Sequence, residues 1–135
     1  MTLDSSFWVG TLNARGRSSR LLDMARAGEI RIDISEPIAT ETIRVLREEF
    51  GWDGYRLNDA YQKLSRLSHI VEPKQTLNVI AEDPPDNRIL ECAAEARSDY
   101  IVTWDKDLLR LGQYGRAKIL RVTDFLREME PGRVR

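Results

Sequence analysis

Short apolar runs alternate along this chain with longer segments of helical periodicity, and this alternation constrains the fold more than any other feature. The clearest strand contains Ile30, Ile32 and Ile34, which alternate with charged residues. A first strand is predicted to end near Leu3, and further strands are predicted at residues 69–71, 100–103 and 118–121. Each of these runs is too short to form a helix of ordinary length.

Helical segments separate the predicted strands. Ser35 is a good N-cap for a helix that Gly51 ends, and residues 53–67 form a second helix. Shorter helices are predicted at residues 21–25, after Asp83-Pro-Pro-Asp86, through residues 108–111 and at residues 123–129, with a turn between Gly112 and Gly115. Strands that alternate with helices pair in parallel, so the sequence predicts a three-layer α/β/α sandwich with a mainly parallel central sheet.

Length and composition favour a single globular domain. The 135 residues, 41% hydrophobic and 32% charged, suffice for one core, which we expect in residues 1–130, with residues 131–135 as a frayed tail. Cys92 is the sole cysteine, which excludes an internal disulfide and a cysteine-based zinc site. The sequence shows neither a membrane-spanning run nor a signal peptide, so we expect a cytoplasmic protein without membrane association.

The net charge of −1 argues against binding nucleic acid through a global positive field. A local basic rim remains compatible with it. Arg15, Arg17 and Arg20 follow the first strand and, with Lys106, are candidates for RNA contact, although a solvated loop is the simpler interpretation. Trp104 is a candidate for stacking on a base, against the more common role of a core anchor.

Three aspartates lie where ligands gather in such folds, beyond the carboxyl ends of the strands. Asp4 follows the first strand, Asp105 follows the strand at residues 100–103, and Asp86 opens a helix. Each has a simpler explanation as a helix cap, because aspartate accepts hydrogen bonds from the first helical N–H groups.

Glu41 and Asp86 share a second property, because both lie on apolar helical stripes. Glu41 follows Ile38 by three residues, and Asp86 precedes Ile89 by three. Such a carboxylate lies at the edge of its stripe or needs a buried partner. Four acids that converge would repel one another unless a cation neutralised them, and oxygen ligands suit Mg²⁺ or Mn²⁺.

Four motifs carry a family resemblance over nearly the whole chain. They are Asp4-Ser-Ser6, Ser35-x-x-Ile38-x-x-Glu41, Asp83-Pro-Pro-Asp86-Asn87 and Val102-Thr-Trp-Asp105-Lys-Asp-Leu-Leu109. In order and spacing they resemble the successive motifs of PIN domains, and the nearest group is the VapC-like toxins of toxin–antitoxin operons. The third and fourth motifs are the most specific. Ser6 departs from the asparagine that is common in the family.

The resemblance implies that Asp4, Glu41, Asp86 and Asp105 hold one or two Mg²⁺ or Mn²⁺ ions, with Asp107 as an additional ligand or a solvated helix residue. It makes Ser6 and Thr103 candidates for hydrogen bonds that orient these acids. The implied activity is metal-dependent hydrolysis of RNA by an endoribonuclease. The implied biological role is that of a type II toxin, with a small antitoxin and a second copy of the chain as partners.

Two other functions remain open on the sequence. One is a PIN-like module that binds RNA or protein without cutting, because fold and side-chain identity do not establish catalysis. The other is an acid-cluster phosphohydrolase that acts on small phosphate esters. His69, the only histidine, lies in a predicted strand and favours a structural or exposed role over general-base catalysis.

Overall fold

The computed structural model describes residues 1–13, 20–80 and 84–129. Two of the predicted RNA-contact residues, Arg15 and Arg17, lie outside the described residues, as do Asp83 and the tail predicted at residues 131–135. The described residues form the predicted three-layer arrangement, in which helices cover both faces of a mainly parallel sheet.

Six strands of the described residues make up the sheet. They are β1 (Thr2–Leu3), β2 (Ile32–Ser35), β3 (Ser68–Val71), β4 (Tyr100–Val102), β5 (Gln113–Tyr114) and β6 (Ala117–Leu120). The seven helices of the described residues are α1 (Ser5–Leu12), α2 (Arg20–Arg26), α3 (Glu36–Glu48), α4 (Gly54–Leu67), α5 (Pro84–Ala96), α6 (Lys106–Leu111) and α7 (Val122–Glu128).

The strand order is β3-β2-β1-β4-β6-β5, and every pair is parallel except β5 with β6. From β1 the chain builds outward through β2 and β3 on one side, and it then returns to β4 on the other side. The order therefore reverses between β1 and β4. Crevices for ligands form at such a reversal, outside the carboxyl ends of the strands.

Two elements were not predicted from the sequence. Helix α1 follows β1 directly, and β5 forms a hairpin with β6 across a turn in which Gly115 has a φ of 56°. Positive φ is a conformation that glycine adopts without strain. The predicted turn between Gly112 and Gly115 therefore contains a two-residue strand, which makes this edge of the sheet antiparallel.

The central strands are buried on both faces. All four residues of β2 are buried. Leu3 of β1 and Ile101 of β4, which lie on neighbouring strands, have no exposed surface. Helix α5 packs across β1 to β4, and Thr2 faces it through a contact with the Cys92 thiol. Strands covered on both sides are typical of parallel α/β sheets. No helix in the described part of the chain combines the length and apolar character needed to span a bilayer.

A buried ion network holds the opposite, amino-terminal edge of the sheet. The Asp33 carboxylate is fully buried and lies 2.7 Å from the Arg31 guanidinium and 3.1 Å from the amino group of Met1. Ser98 donates a 2.6 Å hydrogen bond to it, and His69 lies 3.3 Å away. Burial alone would raise the pKa of Asp33, but the bonds from Ser98 and Arg31 and the Met1 charge outweigh it and lower that pKa.

Candidate metal centre

Asp4 lies where β1 ends and α1 begins, and it is 5% exposed. Its Oδ1 accepts a 2.9 Å hydrogen bond from the backbone N–H of Phe7, which caps α1. Its Oδ2 accepts a hydrogen bond from the Thr103 hydroxyl, which follows the neighbouring strand β4. Asp4 is therefore a helix cap and, at the same time, a carboxylate at the point where the strand order reverses.

Asp105 is joined to the same threonine. Its backbone N–H donates a 2.9 Å bond to the Thr103 hydroxyl oxygen. Its carboxylate caps α6 by accepting hydrogen bonds from the backbone N–H groups of Asp107 and Leu108, at 2.9 and 3.2 Å. The capping interpretation is therefore confirmed for Asp105, and it is compatible with a ligand role, because one carboxylate oxygen serves the helix and the other oxygen makes neither of these bonds.

Asp86 projects from the first turn of α5 and is 7% exposed. The position of this turn is fixed by Asn87, whose side chain accepts hydrogen bonds from the backbone N–H groups of Val79 and Ile80 and donates to the carbonyl of Ile80. Glu91, one turn later, accepts a 2.7 Å bond from the N–H of Leu77. These bonds tie the extended segment that precedes α5 to the helix.

Three carboxylates meet at this position. Asp86, Asp105 and Asp107 each offer an oxygen, and these atoms all lie within 4.8 Å of one another, which makes them the one such group of three or more potential ligands in the described residues. Asp107 also pairs with Arg110 at 3.2 Å. An oxygen-only donor set of this kind fits Mg²⁺ or Mn²⁺. We refer to these three residues as the acid group.

Asp4 lies beside the acid group without belonging to it. Burial raises the pKa of Asp4; the Thr103 and Phe7 hydrogen bonds oppose this effect, and the nearby charge of Asp105 adds to it. The structure therefore places Asp4 close enough to Asp105 for their charges to interact. A cation at the acid group would lower this repulsion.

Glu41 is the predicted ligand that the structure sets apart. Its side chain is 33% exposed at the edge of the α3 stripe, and it forms an ion pair with Arg44 one turn later. It lines a cavity together with Ser5 and Arg88 rather than joining the acid group. A carboxylate at the edge of a stripe with a charged partner was one of the two arrangements that its sequence position allowed.

The remaining predicted residues in the described part of the chain, apart from Thr103, are exposed. Ser6 is exposed on α1, and no hydrogen bond among the described residues joins it to these acids. Trp104 is 52% exposed and stacks on Phe7, with ring centroids 4.9 Å apart. Lys106 is exposed at the start of α6, next to Asp105, and Arg20 is exposed at the start of α2.

The family model described as "PIN domain" matches residues 1–107, which include Asp4, Glu41 and the whole acid group. The chain belongs to the PIN-domain family. Among curated proteins, none matches it. The match stops before β5, β6 and α7, so the antiparallel hairpin lies outside the part that this family description covers.

PIN domains are generally nucleases and typically use divalent metals, and the acid group of this PIN domain provides a suitable set of ligands. The sequence interpretation assigned no role to Asn87 or Glu91, which hold Asp86 in place. A signal for them exists in the sequence. Asn87, Glu91 and Glu95 recur at four-residue spacing, which puts three hydrogen-bond acceptors along one face of α5.

Proposed function

We propose that this PIN domain is a divalent-metal-dependent endoribonuclease that hydrolyses RNA phosphodiester bonds. The observation that carries the proposal is the convergence of Asp86, Asp105 and Asp107 in a PIN fold at the reversal of strand order. Asp105 also caps α6 and Asp107 also pairs with Arg110, and a bound cation would neutralise the repulsion among the three carboxylates.

Each residue then has a definite task. The acid group would hold Mg²⁺ or Mn²⁺, and the bound ion supplies electrostatic stabilisation of the charge that develops on the phosphate during hydrolysis. Thr103 fixes the carboxylate of Asp4 and the backbone of Asp105 relative to each other. Trp104, held by Phe7, offers an exposed aromatic face for stacking with a base, and Lys106 supplies a positive charge for a phosphate.

Cleavage of a labelled single-stranded RNA tests the proposal. We expect cleavage with Mg²⁺ or Mn²⁺, none in EDTA, and a loss of at least about 100-fold in Asp86→Asn and Asp105→Asn, because each removes a charged ligand. Asparagine caps helices about as well as aspartate, so Asp105→Asn keeps α6. Asp59→Asn, at an exposed position on α4, is the matched control and should cleave as the parent does.

Three outcomes would contradict the proposal. Cleavage that persists in EDTA would remove the metal mechanism. Absence of cleavage together with absence of Mn²⁺ binding in calorimetry would favour the second candidate function, a PIN-like module that binds RNA or protein without cutting. Activity on a nitrophenyl phosphate but not on RNA would favour a phosphohydrolase of small esters.

The biological role that we propose is that of a toxin in a type II toxin–antitoxin pair, acting in the cytoplasm as a homodimer and held inactive by a small antitoxin protein. The support is the resemblance of the four motifs to VapC-like toxins. Induced expression should arrest growth in the parent but not in Asp86→Asn, and co-expression of a small protein encoded beside the gene should relieve the arrest. Growth that is unaffected by the active parent would contradict this role.

A further inference from the structure

A cavity of about 620 Å³ opens at the amino-terminal edge of the sheet, at the opposite end of the strands from the acid group. Met1 precedes β1, Arg31 precedes β2, Tyr100 begins β4 and Arg116 precedes β6, and all four line the cavity. These strands are parallel, so their starts lie together at one edge, whereas the acid group follows their carboxyl ends. The volume falls within the roughly 300–1,000 Å³ of sites that bind whole small molecules.

The buried part of the cavity lining is apolar. Phe125 of α7 is buried and packs edge to face against the ring of Tyr100, with ring centroids 5.1 Å apart. Met1 and Ala96 are also buried, and Ile30 is half-buried. Apolar and aromatic side chains predominate in small-molecule sites, where they hold the flat or apolar body of the ligand.

Four exposed, charged side chains complete the lining. They are Arg31, Arg97, Arg116 and Asp99. The buried Asp33 that pairs with Arg31 is balanced by the amino group of Met1. Three arginines and one aspartate thus give the cavity a positive lining in a chain whose net charge is −1, and this favours an anionic ligand.

Two of the arginines are already oriented by bonds to the protein. Arg31 donates from Nε to Asp33 at 2.7 Å and from Nη2 to the carbonyl of Ala96 at 2.8 Å. Arg116 uses Nε and Nη2 on the Asp99 carboxylate, at 3.0 and 2.8 Å. In both arginines Nη1 takes part in none of the hydrogen bonds found among the described residues, so a guanidinium of fixed orientation keeps a donor for a ligand.

The third arginine, Arg97, is held by its backbone. It follows the last residue of α5 with a φ of 54°, a conformation in which glycine would be free of strain. Within the described part of the chain, no hydrogen bond or ion pair joins its guanidinium to another residue, although this side chain lines the cavity. A strained residue with an unused cationic side chain is a reason to look for a function of that side chain.

We propose that this cavity binds a nucleoside phosphate. The phosphate oxygens accept hydrogen bonds from the three arginines, whose forked donors match the geometry of a phosphate. The base and sugar cover the apolar lining around Tyr100 and Phe125, where aromatic side chains suit a flat ring. An inorganic anion would leave this apolar lining uncovered, and an uncharged nucleoside would leave the arginines without an anion. The cavity is separate from the acid group, so the inference does not depend on the proposed nuclease activity.

The first test compares ADP, adenosine and inorganic phosphate as ligands of the intact chain by NMR titration. EDTA is present, so that no cation can bring ADP to the acid group. We expect ADP to bind at least about tenfold more tightly than either part alone, because charge-assisted hydrogen bonds add to the apolar contact. ADP should shift the methyl resonances of Ile30 and Met129, which line the cavity, and not that of Ile89, which lies one turn after Asp86.

Three results of this titration would overturn the proposal. Absence of ADP binding, or shifts confined to Ile89, would remove the site. Equal affinity for ADP and phosphate would leave the apolar lining without a role. Equal affinity for ADP and adenosine would leave the arginines without one.

The second test uses variants whose stability is not in doubt. Arg97→Gly removes one guanidinium and relieves the backbone, so this variant should fold at least as well as the parent while it binds ADP about tenfold more weakly. Arg47→Gln removes an exposed arginine of α3 and is the matched control, and Asp86→Asn changes the acid group. Both should bind ADP as the parent does. Unchanged affinity in Arg97→Gly would overturn the assignment.

Two further anions test the class of ligand, again in EDTA. Naphthoate carries a carboxylate on a flat ring, and tighter binding of naphthoate than of ADP would make the ligand a carboxylate and not a phosphate. Single-stranded RNA that binds about tenfold more weakly to Arg97→Gly, with no detectable binding of ADP to the parent, would make these arginines an RNA contact. Either result would overturn the proposal.

Discussion

One buried hydroxyl links the two strands on which the site is built. Thr103 is 1% exposed, and its oxygen donates to the carboxylate of Asp4 while it accepts from the N–H of Asp105. The Thr103 hydroxyl oxygen therefore connects the residue that follows β1 with a residue that follows β4. Such a group is costly to remove, because the buried polar partners that it leaves behind have no water to replace it.

We therefore predict that Thr103→Val will change the stability of the chain and the pKa of Asp4, whereas Thr103→Ser will change neither. Thr103→Val keeps the shape but removes the hydroxyl, and it should lower the free energy of unfolding by about 1–3 kcal/mol. It should also raise the pKa of Asp4, since the Thr103 bond holds that pKa down. Thr103→Ser should retain both bonds. Urea unfolding and a carboxyl NMR titration would measure the two effects, and equal behaviour of the variants would contradict the prediction.

Some residues of the candidate site could be located from the sequence, and others could not. The positions of Asp86 and Asp105 at the start of helices and after strands are local, so the pattern located them. Glu41 could be placed on its stripe, but whether it turns toward an ion or toward Arg44 depends on packing between α3 and α5. The alternation of Asp33 with Ile32 and Ile34 predicted a strand but not its burial, and Asp33 is fully buried with hydrogen bonds from Met1 and Ser98.

Among the elements, α1 shows why a regular helix was missed. Its buried residues Phe7, Trp8 and Val9 are consecutive, so the helix has no apolar stripe of the usual spacing. Glycine, β-branched and aromatic residues also give it a low intrinsic propensity. It forms because Asp4 caps it and because α3 packs along it. The cap is local and was among the sequence interpretations of Asp4, but the packing of α3 depends on tertiary structure, which a single sequence does not display.

Helix α5 ends in a way that leads to a prediction. Arg97 follows its last residue with a φ of 54°, and the N–H groups of Arg97 and Ser98 bond back to the carbonyls of Ala94 and Ala93. This is a Schellman ending, in which glycine is the favoured residue because it has no Cβ. Arg97→Gly should stabilise the chain by up to about 1 kcal/mol.

Arg97→Ala is the matched control, because alanine removes the long side chain but keeps the Cβ and its strain. Thermal and urea unfolding of the three proteins would measure the difference. A gain in both variants would assign the effect to the loss of a positive charge rather than to the backbone. No gain in Arg97→Gly would contradict the prediction.

For the molecule as a whole, the sequence alternation was sufficient for the fold class but not for the strand order. A two-residue strand such as β1 carries too little pattern to show that it lies in the middle of the sheet, between β2 and β4. Strand β5 is equally short and is defined only by its pairing with β6. In both cases the strand is defined by distant partners and not by its own residues.

The free energy of unfolding of the whole molecule should fall at acid pH because Asp33 becomes protonated. Its pKa is lowered in the folded chain, so its contribution is present above about pH 4 and is lost as the pH falls through the lowered pKa. We predict that Asp33→Asn lowers the free energy of unfolding at pH 7 by about 3 kcal/mol, because it leaves the Met1 amino group and Arg31 without their negative partner.

As the pH falls, the free energy of unfolding of Asp33→Asn should decrease less than that of the parent. Urea unfolding from pH 7 down to about pH 2 would compare the parent, Asp33→Asn and the exposed-site control Asp23→Asn, which should follow the parent. Parallel curves for the parent and Asp33→Asn would show that another carboxyl group dominates the acid dependence.

The central position of β1 has a consequence for the order in which the chain is made. Strand β1 leaves the ribosome before both of its neighbours, and one of them, β4, is complete only when Val102 has been added. All three carboxylates of the acid group also belong to the second half of the sequence. Domains fold during synthesis only when their partner segments have emerged. A ribosome that translates this protein therefore carries an incomplete chain without an assembled acid group until residue 107 has been added.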